Sequence, residues 1–322
     1  MREVVVTVVI VTYRVAELTI ASLRSLESER ATPGLNLQVV VVDNASGDAP
    51  QVSAAIEQNQ WSSWVSLLTA PRNGGFAYGC NLGMKHACDA RAPDYLHLLN
   101  PDTLVRKGAV AELVCFLEEH ERAGVVGSLL EDVEGTEMPF AFRFPTILSE
   151  IETGLQLGFV TRLLSRWVVR RRMGTSSEQV DWVSGASMMI RRSLLDDIGG
   201  FDERYFLYFE ETDFSRRAKQ AGFSTWFVPA SRVMHIAGTS TRLIHGKAET
   251  RRLPPYWFAS RRHWFVEAHG FAYAAVADLC AVMARMTGWL KNKILGREPS
   301  IPFYIRDLLR HSFVRPRDRG VP

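Results

Sequence analysis

From residue 4 to residue 11 every side chain is Val, Ile or Thr, VVVTVVIV. A β-branched run of that length, apolar on both faces, is the pattern of a parallel strand covered by helices on either side. It also carries no small-residue cleavage site and ends in Tyr13-Arg14, so it reads as a buried strand and not as a secretion signal. Residues 16–30 then space Leu18, Leu23 and Leu26 among polar residues, as an amphipathic helix does. The alternation continues with strands over 37–42, 64–69, 95–99 and 125–130 and helices over 50–60, 77–87 and 108–120. That spacing predicts a doubly wound α/β sheet. Such a sheet binds ligands beyond the carboxyl ends of its strands.

The segments just past the expected strands are Thr12-Tyr13-Arg14, Asp43-Asn44, Pro71-Arg72-Asn73-Gly74-Gly75 and Asn100-Pro101-Asp102. Singly, each is an ordinary turn, Asp43 included. Four polar, glycine-bearing or acidic segments on one rim point to a ligand site. The Asn73-Gly74-Gly75 turn can bring backbone N–H groups close to phosphate oxygens. Asp102, closing the apolar strand YLHLL, is the ligand type of a hard divalent cation that touches diphosphate oxygens; the plain alternative is an Asn-Pro-Asp turn. No GxxxxGK[ST] or GxGxxG occurs in the chain, which disfavours a P-loop ATPase and a dinucleotide dehydrogenase.

Between 131 and 178 the alternation lapses. EDVEGTEM reads as an exposed acidic hairpin or loop, and RLLSRWVVRRR (162–172) as a basic helix or loop that is either a solvated face or a membrane or substrate contact. Order returns over 180–190, where Trp182 stands beside Ser184-Gly185-Ala186 and small residues leave room for a ring against the indole. After a short helix over 192–198, GGFDERYFLYFEETDFS (199–215) sets Glu210, Glu211 and Asp213 behind five aromatic residues. Adjacent desolvated carboxylates raise each other's proton affinity, as a general base requires. The same carboxylates also suit the start of a helix that stops at Gly222. On this window alone the two readings balance. A strand SRVMH then ends at His235, and 236–249 reads as a loop able to close over a site.

In order along the chain, VVIVTYR, VVVVDNAS, NGGFAYGCNLG, YLHLLNPDT, WVSGASMMIRRS, GGFDERYFLYFEETDFSRR and VMHIAGTST resemble the motifs of bacterial family 2 inverting glycosyltransferases of the GT-A fold. The similarity is greatest to the rhamnosyltransferase-like branch that builds cell-surface polysaccharide, and it spans residues 4–241. It implies a Rossmann-like, mostly parallel central sheet with flanking helices. It implies that Thr12, Tyr13, Arg14, Asp43 and Asn44 surround the nucleobase and ribose, with Arg72, Asn73 and Gly74 near base or phosphate. Asn100-Pro101-Asp102 stands where the family has a DxD metal motif, so one acidic ligand is replaced by an amide. Asp102 and His235 would complete the shell of a divalent cation, Mg²⁺ or Mn²⁺, and the diphosphate. Glu210-Glu211 occupies the family's Glu-Asp pair with Glu211 at the base position, one methylene longer than the usual aspartate. Trp182, Gly185 and Ala186 would wall donor sugar from acceptor.

The implied activity moves a sugar, rhamnose by this resemblance, from a dTDP- or UDP-sugar to a lipid-linked or polysaccharide acceptor at the inner face of the plasma membrane. Inversion needs a carboxylate on the acceptor side, like the base of inverting glycosidases. Two rivals are a sugar-nucleotide pyrophosphorylase, disfavoured by the missing glycine-rich basic N-terminal loop, and a catalytically weak nucleotide-binding scaffold, which the Asn100 departure keeps open. Four scattered cysteines without a CxxC pair fit a reduced cytoplasmic compartment.

Charge divides the 322 residues unevenly. Residues 1–250 carry 25 Lys+Arg against 30 Asp+Glu, and residues 251–322 carry 13 against 5. The first stretch is assigned to the transferase domain and the second to a basic helical extension. Its long apolar run (261–296) is interrupted by Asp278 and Arg285, each costly at a bilayer centre. Asp278, Arg285 and Asn292 recur every seven residues on one narrow polar face, with Lys291, Lys293 and Arg297 at the end. The run is expected to lie as an amphipathic helix on a membrane surface, or to pair with a second copy as a homodimer; no nucleic acid is expected.

Overall fold

The structure is a computed structural model that describes residues 3–236, 252–296 and 303–313. The loop expected over 236–249 lies outside the described residues from 237 onward, as does Arg297. Two compact units are present: residues 1–142, 172–206 and 210–245 form the first, and 143–171, 207–209 and 246–322 the second. The sequence division at 250 gave the second unit only the C-terminal helices; the structure adds 143–171 and 207–209.

In the first unit β1 (Val4–Thr12), α1 (Ala16–Leu26), β2 (Leu35–Asp43), α2 (Ala49–Gln58), β3 (Val65–Thr69), α3 (Gly75–Ala90) and β4 (Tyr95–Leu99) alternate as the periodicity predicts. β5 (Thr103–Val105), α4 (Ala109–Glu119), β6 (Ala123–Glu131) and β7 (Ala141–Phe142) follow. In the second unit come α5 (Ile147–Leu155) and α6 (Gly158–Leu163). The first unit resumes with β8 (Glu178–Val180), β9 (Trp182–Val183), β10 (Ser187–Arg191), α7 (Arg192–Ile198), α8 (Glu210–Gln220) and β11 (Ser224–His235). The second ends with α9 (Pro255–His269), α10 (Phe271–Ile294) and α11 (Tyr304–Phe313).

One nine-stranded sheet runs β3-β2-β1-β4-β10-β6-β11-β5, with β8 on β11. β1 pairs in parallel with β2 from Val4–Leu35 to Thr12–Asp43, and with β4 as far as Ile10–Leu99. β10 enters antiparallel between β4 and β6. The sheet is therefore mostly parallel with antiparallel insertions, built on the fully buried Val6, Val8, Ile10, Val41 and Leu98. β11 runs parallel to β6 but breaks register between Val228 and Arg232, around Pro229, which has no N–H for the ladder. Beyond that break it pairs antiparallel with β5, bringing His235 opposite Thr103.

β5, β8 and β9 escape sequence reading because two or three residues show no period. α5 escapes it because its capping box is closed by Ser149 on Thr146 and lacks the usual Glu or Gln. The EDVEGTEM segment is a hairpin, bridged antiparallel from Glu131 to Glu137.

The second unit is helical. Gly270, at φ 85°, splits the long C-terminal run into α9 and α10. α10 crosses α5 at two glycines: a Cβ on Gly288 would lie 2.2 Å from the Gly154 carbonyl oxygen. Asp278 on α10 is fully buried and accepts from Arg261 at 2.6 Å and from Arg262, both on α9. Arg261 also holds Glu150 of α5 at 3.1 Å. Arg285 lies 4.0 Å over the Tyr304 ring, and Asn292 donates to Gln156 at 3.1 Å. The seven-residue polar row is real, yet it faces the other helices of its unit and not a headgroup layer. This corrects the expected orientation of the helix.

Removing one partner from a buried ion pair leaves an uncompensated charge and costs about 3–5 kcal/mol. Asp278→Ala is expected to destabilise the second unit by that amount in urea unfolding. A midpoint equal to wild type would mean the Arg261–Asp278 pair contributes nothing.

Candidate active site

The parallel register sets the carboxyl ends of β1, β2 and β4 along one edge. Just past them, Asn44 is buried and its side-chain amide donates at 3.0 Å both to the Asn73 side chain and to the Gly75 carbonyl. Asn73 in turn accepts from the Gly75 N–H at 3.0 Å. Gly75 sits at φ 88°, and a Cβ there would lie 2.0 Å from the Phe206 carbonyl oxygen, which accepts the Phe76 N–H at 2.8 Å. Only glycine fits that crossing.

Thr12 and Asp43 are buried and engaged within the rim. Thr12 donates to Asp48 at 2.9 Å, and Asp48 also accepts the Val15 N–H. Asp43 accepts from Ser46 and from the Ala49 N–H, closing the loop after β2. These two shape the edge, whereas Tyr13, Arg14 and Arg72 reach outward from it. Arg14 lies over the Tyr13 ring and Arg72 over Tyr78, at 5.1 and 4.7 Å. Asp48 was not anticipated; its place directly before the Ala49-Pro50 start of α2 was the available signal.

At the end of β4, Asn100 donates its backbone N–H to the Ala186 carbonyl at 3.1 Å, and its side chain lies 3.3 Å from His235 Nε2. Asp102 is buried, with Oδ1 3.2 Å from the same His235 nitrogen. That spacing is close to the ~3.0 Å between neighbouring ligands of an octahedral ion with bonds of about 2.1 Å. A carboxylate oxygen and an imidazole nitrogen so placed fit one divalent cation. Among the described residues no group of three or more His, Cys, Asp or Glu converges. A cation here would complete its shell with phosphate oxygens and water, as Mg²⁺ sites with one or two carboxylates do.

The carboxylates of α8 occupy three environments. Asp213 is paired with Arg216 at 2.7 Å and Arg217 at 2.8 Å, and Arg217 also ties down the Ile198 and Gly200 carbonyls. Glu210 is 2% exposed. Glu211 is partly exposed, and its Oε2 is shielded from solvent without a hydrogen-bond partner. Burial pushes the Glu211 carboxyl up to about 6, partly offset by backbone N–H groups of Glu211 itself and Gly185. Burial also pushes the Cys80 thiol on α3 well up, with the charges of Glu210 and then Glu211 adding to it. Tyr208 and Phe209, immediately before α8, both sit at positive φ, 71° and 72°. Such backbone costs about 1–3 kcal/mol per residue and concentrates at functional sites.

One dipeptide links the two chemical centres. Gly185 hydrogen-bonds Glu211 through its N–H, and Ala186 accepts from Asn100 through its carbonyl. A Cβ on Gly185 would come within 3.4 Å of Phe76 and 3.8 Å of Glu211 Oε1. Trp182 stacks on Phe142 with centroids 4.1 Å apart, on the short β7–β9 ribbon. Phe76 and Asn81 on α3 were missed. Asn81 clamps Phe201 through both its amide groups at 2.9 Å, anchoring the loop that leads to α8.

A mixed α/β sheet of this strand order, with polar loops gathered past the carboxyl ends of its parallel strands, is the frame of a GT-A glycosyltransferase. Residues 3–253 match the family model "Glycosyltransferase like family 2", and the chain belongs to that family. It is a hexosyltransferase-type enzyme. It is 32% identical over 251 residues to an N-acetylglucosaminyl-diphospho-decaprenol L-rhamnosyltransferase of Mycobacterium tuberculosis, covering 74% of this chain and 78% of the relative. It is 26% identical over 177 residues to the rhamnosyltransferase WbbL of Escherichia coli, covering 54% and 65%. Among solved structures, GalNAc-T7 with UDP, GalNAc and Mn²⁺ aligns with TM-score 0.60 at 17% identity, over 95% of this chain and 54% of that one. Staphylococcus aureus TarS 1–349 with UDP-GlcNAc aligns with TM-score 0.56 at 17% identity, over 97% and 82%. These likenesses establish the GT-A fold.

Titrating the Glu211 carboxyl by ¹³C NMR is expected to give a midpoint of about 6, with the step absent in Glu211→Gln. An ordinary midpoint of 4.5 would place Glu211 in a solvated environment.

Proposed function

We propose that this chain transfers rhamnose from a dTDP- or UDP-linked donor to a lipid-linked or polysaccharide acceptor, with inversion, in cell-surface glycan synthesis. The observation that carries the reading is Glu211, a shielded carboxylate with raised proton affinity, joined through Gly185-Ala186 to the Asn100–Asp102–His235 corner. The names of the relatives support rhamnose, and that of the mycobacterial relative supports a lipid diphosphate acceptor. A further relative, a dTDP-rhamnosyl transferase of Shigella flexneri at 22% identity over 66% of this chain, supports the dTDP donor. Such an acceptor supports a cytoplasmic enzyme peripheral at the inner membrane face.

The residues divide the work as follows. Glu211 takes the proton of the attacking acceptor hydroxyl through Oε2, while Gly185 holds its other oxygen. A base with a pKa near the working pH is both ionised and able to accept. Glu210, buried beside it, raises the local negative charge and positions the helix start. Asp102 and His235 would hold a divalent cation, Mg²⁺ or Mn²⁺, at the end of β4. When bound, the cation neutralises charge that develops on the leaving diphosphate. Asn100 does not need to be a ligand: its backbone N–H fixes Ala186, and its side chain stands 3.3 Å from His235 Nε2, the nitrogen that would turn to the cation. Arg14 and Arg72 meet the nucleotide, and Trp182, Gly185 and Ala186 bound the sugar.

Glu211→Gln is expected to lower transfer about 10²- to 10⁴-fold with nucleoside diphosphate binding retained. In wild type, kcat/KM falls as pH drops below about 6, because protonation removes the base. Undiminished transfer by the variant would assign the base elsewhere. His235→Ala is expected to weaken Mn²⁺-dependent nucleoside diphosphate binding at least about tenfold in calorimetry; equal affinity would remove His235 from the site.

A further inference from the structure

α10 is built inside out for a helix in water. Its buried face holds Ala274, Ala277, Ala281, Ala284 and Gly288 around Asp278. Its outward face carries the large side chains Val276, Leu279, Met283, Met286, Leu290 and Ile294, at spacings of three and four residues. Met283 is 60% exposed and Ile294 75%. Water-exposed helices put such residues against the core. Among the described residues, every exposed large hydrophobic side chain except Val133 belongs to the second unit.

Charge follows the same division. The second unit carries 19 Lys+Arg against 8 Asp+Glu, while the first carries 19 against 27. Lys291 and Asn292 bond Leu155 and Gln156 at the end of α5, so α6 begins beside the carboxyl end of α10. There Arg162, Leu163, Arg166 and Trp167 are all exposed, a mixture of basic and apolar side chains. Basic residues beside an exposed apolar row, with tryptophan among them, fit the boundary between anionic headgroups and acyl chains.

We propose that the outward face of α10, together with the basic and aromatic turn over 162–167, docks the chain in the plane of an anionic lipid bilayer. α10 is long and apolar enough to cross a membrane, but crossing would carry the buried Asp278–Arg261 pair into hydrocarbon. Lying in plane keeps that pair inside the protein and gives the apolar row, ~27 Å long at 1.5 Å per residue, to the lipid. A second copy of the chain fits this face less well, since two units of strong positive charge repel. The inference deepens the lipid-linked acceptor reading by naming the surface that meets the membrane.

The test is flotation of the full chain with vesicles of phosphatidylcholine alone or mixed with phosphatidylglycerol. The chain is expected to float with the anionic vesicles, less at high salt, and poorly with neutral ones. Met283→Glu combined with Leu290→Glu is expected to reduce flotation about tenfold, with the circular dichroism spectrum and transfer to a short-chain, water-soluble acceptor unchanged. Flotation of the variant equal to wild type, or no flotation of wild type, would overturn the docking face. So would a stable dimer by light scattering that the variant dissociates without any vesicle binding. Flotation requires no transfer, so its failure alongside intact transfer rejects only the docking face. Lost transfer alongside intact flotation rejects only the transferase reading.

Discussion

Parallel pairing of β2, β1 and β4 is the constraint on which the site depends. With Thr12 opposite Asp43 and Ile10 opposite Leu99, three strands end at nearly the same level and release their chains on one edge. A one-residue slip would turn every buried valine to the other face, so the core itself fixes where the loops emerge. The edge then closes on itself through Asn44, Asn73 and Gly75. β11 completes it from the other side. Past its irregularity at Pro229 the strand resumes its pairing with β6 from Arg232 and takes β5 on its other side, which brings His235 to Asp102.

The same economy governs the carboxylates. Glu210, Glu211 and Asp213 share one helical turn, yet their surroundings separate them: Asp213 is neutralised by two arginines, Glu210 is buried, and Glu211 is partly open to solvent. The helix dipole and the Gly185 N–H favour ionisation, while burial opposes it more strongly. The replacement of an acid by Asn100 is accommodated within this arrangement. An amide at this position adds no charge beside Asp102, and two donors plus diphosphate oxygens suffice for a hard cation.

Much of this was legible in the residues. The β-branched runs and the leucine spacing gave the alternating elements of the first unit to within a few residues, since β1, β2, β4 and β6 are covered on both faces along most of their length. The loops past those strands followed from the same reading. What stayed hidden came from long-range pairing: β5 is too short to show a period, and the Gly185 N–H that meets Glu211 comes from the turn between β9 and β10, far back along the chain. The polar row of α10 was read correctly as one face but turned the wrong way. A seven-residue repeat says which residues share a face, and only their partners, here Arg261 and Gln156, say that the face is inward.

The central claim is that one carboxylate activates the acceptor for a single displacement at the anomeric carbon. The anomeric configuration of the product, read from the one-bond carbon–proton coupling of the newly attached sugar, tests it most directly. A single displacement gives a linkage of configuration opposite to that of the nucleotide-linked donor. Retention would contradict it, because a double displacement or front-face transfer would leave Glu211 without the role assigned to it.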